Sequence, residues 1–208
     1  MNYLKFHQKY RDRPLLLSRE VLRGVRNPQV LRNQLNRWQD KKLLLKLRRG
    51  AYVFMTEARP DRSWIANKLY EPSYLSLEYA LDFYDLIPDR VADVTSLTTL
   101  KTMRFENKLG HFIYRHVNPR VFRGFRQMGD AKLLFFMAEP EKAVVDFLYF
   151  KLPVFKKGTA QILKESFRFQ NYENLDPGKL KRWADLFENA KLTRVIDELC
   201  RMIRRESS

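Results

Sequence analysis

Pro28-Gln29-Val30-Leu31-Arg32-Asn33-Gln34-Leu35-Asn36-Arg37-Trp38-Gln39-Asp40-Lys41, followed almost at once by Leu43-Leu44-Leu45-Lys46-Leu47-Arg48-Arg49-Gly50-Ala51-Tyr52-Val53-Phe54, is the stretch on which the reading of this chain turns. Asn27-Pro28 starts it as a helix. An amide side chain caps free N–H groups, and proline suits the first helical position, where its missing N–H is not needed. At about 100° per residue, Leu31, Leu35 and Trp38 fall on one narrow face and Gln29, Arg32, Asn33, Asn36 and Arg37 on the opposite arc. The inner face is a core stripe, and Trp38 is read as part of it. The outer face is amide and guanidinium, the two chemistries that match base edges in a DNA major groove: arginine with guanine, asparagine or glutamine with adenine. A solvated helix face usually carries glutamate. Here the only acid is Asp40, near the helix end. The plain alternative is an ordinary exposed polar face.

The residues on either side narrow the choice. Leu43–Phe54 reads as two short strands around an Arg48-Arg49-Gly50 tip, where glycine tolerates the positive φ of a tight turn. Upstream, Asn2 to about Tyr10 reads as a helix with Leu4 packed inward beside Phe6 or Tyr10, ended by Arg13-Pro14. Ser18 reads as the N-cap of a short helix, Arg19 to Val25, with Val21, Leu22 and Val25 inward. Two helices, an amide-rich third helix and an arginine-tipped hairpin within 54 residues follow the order of a winged helix-turn-helix. On that reading the fold class is α+β, with a winged helix-turn-helix over 1–59 and an α+β domain over 60–208. Arg32, Asn33, Asn36 and Arg37 are the candidates for base contacts. Ser18, Arg19, Asn27, Gln29 and Lys46 are candidate DNA contacts around them, and Arg48 and Arg49 would hold phosphate or enter the minor groove.

Charge agrees with that division. The net charge is +16 over 208 residues. Residues 1–60 hold 15 Lys/Arg against 4 Asp/Glu, and the rest hold 25 against 20. A surplus so concentrated attracts a polyanion through counterion release, without sequence preference of its own. The composition, 13% aromatic with only 7 glycines, argues against disorder. No apolar run approaches the roughly 20 residues that span a bilayer, and the charged N-terminus has no signal-peptide core, so a cytoplasmic protein without membrane contact is expected. The single cysteine, Cys200, rules out an intramolecular disulfide and a cysteine-rich zinc site.

A break is expected near Arg59-Pro60-Asp61. Beyond it, residues 63–71 read as a helix, and Ser76 as the cap of a second one holding Leu77, Ala80, Leu81 and Tyr84. Strand-like runs follow at Val91–Thr95, Lys101–Phe105, His111–Val117, Val121–Phe125 and Lys132–Met137, punctuated by Asn and Gly. Pro140 opens a helix, Glu141 to Phe150, apolar nearly all round and so expected to be central. Three helical stretches end the chain, near 159–169, 177–189 and 192–206. The sheet is expected to be small and mostly antiparallel.

Tyr74-Leu75-Ser76-Leu77-Glu78-Tyr79-Ala80-Leu81, Leu86-Ile87-Pro88, Val94-Thr95-Ser96, Thr98-Thr99, Arg104-Phe105-Glu106-Asn107, Leu109-Gly110, Tyr114-Arg115-His116 and Pro140-Glu141-Lys142-Ala143 together resemble the AbiEi-type antitoxins of type IV toxin–antitoxin systems, also described as regulators of viral defence. The resemblance covers roughly residues 15–150 and is most specific over 74–117. Asp85 stands where that pattern has glycine. The resemblance implies a winged-helix repressor of its own operon that binds repeated operator sequences in double-stranded DNA, which leaves room for self-association on DNA. It also implies a second domain needed for antitoxin activity. The functional partner it implies is a nucleotidyltransferase-like toxin, opposed without a stable complex.

The second part offers little chemistry of its own. His7, His111 and His116 are scattered, and His111 and His116 point to opposite faces of a strand, so no metal pair is expected. Cys200 sits on the inner stripe of the last helix beside Leu199 and Ile203, as a core residue. Asp130, Glu139, Glu141, Lys142 and Asp146 supply the residue types of a metal-dependent nuclease. However, Lys142 follows Glu141 directly inside a helix, and Lys142 and Asp146 read better as an i,i+4 pair or with Asp146 held by a neighbouring strand. No cofactor and no enzymatic activity are expected. A nuclease with a DNA-binding head, or a module that docks directly on a toxin, are the alternatives. Thr95, Ser96, Thr98 and Thr99 read as a turn and cap at a strand end. The functional alternative joins them with Lys101, Arg104 and Arg115 in a polar, basic surface. The last helix reads as core packing with a basic exterior, a dimer or partner face being the alternative.

Overall fold

The computed structural model describes residues 2–55, 61–130, 133–156 and 158–206. The expected break at Arg59-Pro60 lies outside the described residues, as does Lys132, where one strand was expected to begin.

The N-terminal part builds in the order α1 (Tyr3–Tyr10), β1 (Leu16–Leu17), α2 (Ser18–Val21), α3 (Pro28–Asp40), β2 (Leu44–Arg48) and β3 (Ala51–Phe54). The strands form an antiparallel sheet in the order β1-β3-β2. Asn2 caps α1 by accepting from the Lys5 N–H at 3.0 Å. Asn27 caps α3 by accepting from Val30 N–H at 3.3 Å, with Pro28 in the first turn. Leu31, Leu35 and Trp38 are buried from α3, against Phe6 and Tyr10 of α1 and Leu44, Tyr52 and Phe54 of the sheet. The Phe6 and Trp38 rings lie 4.7 Å apart. Trp38 is thus core, as read.

Two local expectations fail. Leu4 is 70% exposed: the inward side of α1 is the Phe6–Tyr10 side. Ser18 does not cap α2. It is that helix's first residue, and its N–H donates to the Gly50 carbonyl at 2.7 Å. The short helix stops at Val21, because the chain turns at Gly24, whose φ is +71°.

The opposite face of the same small sheet does not meet water. Leu15, Leu17, Leu47, Ala51 and Val53 belong to the larger core that holds Ile65, Tyr74, Phe112, Val144 and Leu199. The pleat explains this, since alternate residues of one strand serve two cores. The hairpin end is also tied down: Asn107 Nδ2 donates to the Leu47 carbonyl at 3.2 Å.

The larger part is α+β. α4 (Arg62–Leu69) precedes β4 (Ser73–Leu75) and α5 (Leu77–Phe83). Then come β5 (Val94–Thr98), β6 (Met103–Asn107), β7 (Gly110–His116), β8 (Phe125–Met128) and β9 (Phe135–Ala138). Their sheet runs β6-β7-β5-β4-β9-β8. It is mixed rather than small and mostly antiparallel: β5 pairs with β7, and β4 with β9, in parallel. α6 (Pro140–Lys151) crosses it with Ala143, Val144, Val145 and Leu148 fully buried, as its apolar circumference demands. α7 (Thr159–Gln161) continues into a π turn, and α8 (Pro177–Asp185) and α9 (Ala190–Glu206) follow. Asp176 caps α8 by accepting from Gly178 N–H at 2.7 Å. Cys200 is buried in the inner stripe of α9 with Leu199 and Ile203.

Strand ends shift by one to four residues from the alternation reading, β7 by one only, and β4 was not expected at all. Residues 121–125 were expected as a strand. Instead Pro119–Val121 is a 3-10 turn and β8 begins only at Phe125. Asp85, in the place of the expected glycine, takes φ +52°, so the aspartate adopts the left-handed backbone itself. Ser76 opens α5 as anticipated, but its hydroxyl makes no cap bond: it donates to Asp146 instead. Among the described residues, no helix is long and apolar enough to cross a membrane.

Candidate nucleic-acid interface

α3 turns one side to the core and leaves the other bare. Gln29, Arg32, Asn33, Asn36 and Arg37 are all exposed. Gln29 Nε2 donates to Asn33 Oδ1 at 3.1 Å, one helical turn on, which fixes which amide atoms of the pair remain outward. Among the described residues, neither Arg32 nor Arg37 has an ion pair. Two guanidinium groups without carboxylate partners keep their full attraction for an outside anion.

Val30 is the residue on this side that the polar reading passed over. It is 50% exposed. At 100° per residue it lies about 20° from Arg37, in line with Asn33 and Arg37 at i+3 and i+7. The projection that found the polar arc would have found it, had exposed apolar positions been sought too.

The other candidates divide. Arg19, on α2, Asn27, Lys46 and Arg49 are exposed, and Ser18 is half-buried beside Gly50. Arg19 comes within 4.0 Å of Glu71, and Asn27 spends its side-chain oxygen on the α3 cap. Arg49 and Lys46 hold no ion pair among the described residues. Arg48 is placed otherwise than expected. Its Nε donates to the Leu69 carbonyl at 2.7 Å, one terminal nitrogen donates to the Arg49 carbonyl at 3.0 Å, and the group lies 5.8 Å from the Phe105 ring. It clamps the hairpin end to α4 and β6. Gly50, with φ +78°, makes the turn that presents Arg48 and Arg49 to different sides.

The surface suggested for the second part does not assemble. Thr95, Ser96 and Thr98 are buried in β5, an interior strand between β7 and β4. The two threonine hydroxyls serve the fold, while that of Ser96 has no hydrogen-bond partner among the described residues. Thr95 Oγ1 donates to the Ser76 carbonyl at 2.6 Å and accepts from the Tyr79 N–H, and Thr98 Oγ1 donates to the Pro72 carbonyl at 2.7 Å. Thr99 is half-buried and Lys101 exposed, the Lys101 carbonyl accepting from the Tyr70 hydroxyl. Lys101 precedes β6, so the strand alternation that was to separate it from Arg104 does not apply. Arg104 pairs with Ile113 in register, two residues from Arg115, so both arginines share a sheet face. Arg115 lies 5.2 Å over the Phe150 ring, and Arg104 is 4.0 Å from Glu106.

The acid–lysine cluster is internal. Lys142 and Asp146 are both 0% exposed and bonded to each other at i,i+4, as their spacing suggested. Tyr74 Oη and Ser76 Oγ donate to Asp146 Oδ2 at 3.0 and 2.8 Å, and Lys142 Nζ donates to Tyr74 Oη at 3.0 Å. Burial pushes the Asp146 carboxyl up and the Lys142 ammonium down, and each partner opposes the shift of the other. Gly124 makes room for this lysine. A Cβ there would sit 3.0 Å from Lys142 Cγ and from the Trp183 ring. Glu141 is nearly buried, one oxygen accepting from Asp176 N–H at 3.2 Å. His111 Nδ1 lies 2.9 Å from Asp93, and His116 Nδ1 2.9 Å from the Leu100 carbonyl. Among the described residues no group of three or more His, Cys, Asp or Glu side chains is arranged to hold a metal ion.

The chain matches no family model, and no curated protein matches it in sequence.

Proposed function

We propose that this protein is a sequence-specific double-stranded DNA-binding repressor whose N-terminal part is a winged helix-turn-helix, with α3 as the helix that enters the major groove. One observation carries the reading: the outer side of α3 is exposed and, apart from Val30, amide and guanidinium, with no acid before Asp40. The element order helix, short strand, helix, helix, hairpin supports it, as does the +11 surplus in the first 60 residues. Arg32 and Arg37 pair with guanine edges, and Asn33 and Asn36 with adenine. Val30 lies where it can meet a thymine methyl. Arg49 and Lys46 grip the backbone.

A quantitative gel shift at several salt concentrations tests this. Arg32→Ala loses discrimination between duplexes. Arg49→Ala weakens all duplexes alike and lowers the salt slope by about 1. Unchanged affinity in both variants would overturn the proposal.

The further reading, as antitoxin of a type IV system, rests on the resemblance over residues 74–117. Its test is co-expression of the whole chain with the neighbouring reading frame. The expected outcome is relief of growth arrest by a nucleotidyltransferase-like product, without co-purification of the two chains at high salt. Arrest that persists would sink it, and a stable complex would favour direct docking.

A further inference from the structure

The β6–β7 hairpin ends in a tight turn. Asn107 pairs with Gly110, so Lys108 and Leu109 alone make the reversal. The turn is fixed from within. Asn107 Oδ1 accepts from the Leu109 N–H at 2.8 Å, as in an Asx turn, and Gly110 supplies a φ of +114°. Leu109 packs against the large core, and Lys108 is exposed at the apex. The donor end of the same amide ties this turn to the head: Asn107 Nδ2 donates to the Leu47 carbonyl at 3.2 Å. Leu47 stands between Lys46 and Arg48 in β2, an edge strand of the small sheet. Arg48 adds a second contact, its guanidinium lying over Phe105 of β6. The tip of one hairpin thus rests on the edge of another 60 residues away. Asn107 spends both its donor and its acceptor on this junction, and the result is a lysine held near Lys46 and Arg49.

The charges around the junction leave that lysine unmatched. Glu106, two residues before it, lies 4.0 Å from Arg104 and 3.5 Å from His111, and Asp93 lies 2.9 Å from His111. Glu71, which follows the residues that anchor Arg48, lies 2.7 Å from Lys68. Those acids have cationic neighbours of their own. Among the described residues Lys108, like Lys46 and Arg49, has no ion pair. Arg62 adds to the positive side: a Cβ on Gly110 would come within 2.8 Å of one of its guanidinium nitrogens, so this cation packs on the same turn. Cations that a fold holds together without acids between them make a local positive field, and a polyanion is the partner it attracts.

We propose that the β6–β7 turn acts as a second wing: with α3 in the major groove, Lys108 takes a backbone phosphate beside those held by Lys46 and Arg49. This rests on the DNA-binding reading and extends the interface onto the large domain, which the concentration of charge in the first 60 residues left out of account. Lysine suits the role, because an ammonium meets a phosphate as a point charge and needs no planar partner. The contact carries no sequence information. It lengthens the footprint and fixes how the whole molecule sits on the duplex. Asn107 is a positioning residue here, since it acts through the lysine it holds.

Fluorescence anisotropy of the full chain with a mixed-sequence duplex tests this across a salt series. Lys108→Gln lowers the salt slope by about 0.9, so its deficit against wild type shrinks about 3.5-fold between roughly 50 and 200 mM salt. Lys108→Arg keeps the wild-type slope. Position is read separately. Iron–EDTA tethered to the introduced thiol of Lys108→Cys cuts the bound duplex, and labelling is confined to that site because Cys200, the native thiol, is buried. A wild-type slope in Lys108→Gln ends the proposal, as does an intact duplex when the labelled variant is bound to it. These outcomes separate it from the reading on which it rests. If wild type binds no duplex, both fall. If wild type binds and Lys108→Gln matches it throughout, the second wing alone is lost and α3 is untouched.

Discussion

Asn33 and Arg37 stand one helical turn apart on α3, and so do Arg32 and Asn36, giving two amide–guanidinium rows along one exposed side. Each bidentate contact to a base is worth about 1–3 kcal/mol of discrimination. Arg37→Ala or Asn36→Ala is therefore expected to flatten the preference between cognate and mutated duplexes, read by competition anisotropy, with the fold unchanged. Val30 gives a finer test. If it meets a thymine methyl, deoxyuridine at that position weakens wild type but not Val30→Ala. Arg48 belongs to another class of effect. Its bonds to the Leu69 and Arg49 carbonyls make Arg48→Ala a stability variant. The expected loss is about 1.5 kcal/mol, the lower end for a charged hydrogen bond because the group is part-exposed. Urea unfolding reads it, while the salt slope of DNA binding stays as in wild type. Sequence alone could not separate Arg48 from Arg49. Their contrast depends on what lies beyond the hairpin tip, 21 residues further on.

At the scale of elements, α3 and the hairpin were legible because each carries its own signal: a capping Asn-Pro, a 3.6-residue apolar stripe, an Arg-Arg-Gly turn. The strands of the large sheet were less so. β5 is buried through all five residues, so no polar–apolar alternation marks its ends, and three short polar residues within it passed for a surface turn. β4, three residues long, has no room for a pattern. The buried ion pair was visible as an i,i+4 spacing, but the Tyr74 and Ser76 bonds that complete it come from about 70 residues away. Lys142→Met leaves Asp146 buried without its countercharge and is expected to cost about 3–5 kcal/mol, and Lys142→Met with Asp146→Leu less. Denaturant midpoints compare the two.

Tyr74 and Tyr114 set the alkaline limit. Burial raises both phenols above the ordinary value of 10.0, and the Tyr74 hydroxyl also faces the Asp146 charge. The unfolded chain therefore ionises first. Stability from these groups is present below pH of about 10 and lost above it. Absorbance at the phenolate band should show the two ionising only with unfolding, and Tyr114→Phe should lessen the loss per pH unit.

Across the whole molecule, the two parts are less separate than the charge division suggests. The small sheet sends one face to α3 and the other into the large core, and the hairpin end is fastened at Leu47 and Arg48. The exposed side of α3 is thus carried on a braced platform, which limits the entropy lost on ordering it against a ligand. On the proposed reading, the surplus of positive charge would make affinity fall steeply with salt for any duplex, so charge alone cannot reveal specificity. The decisive measurement is selection from a random duplex library at about 150 mM salt, with wild type beside Arg32→Ala/Asn36→Ala. Wild type should enrich one motif, and the variant should retain general binding and lose the motif. If wild type enriches nothing, or the variant selects the same motif with the same affinity, α3 does not read DNA.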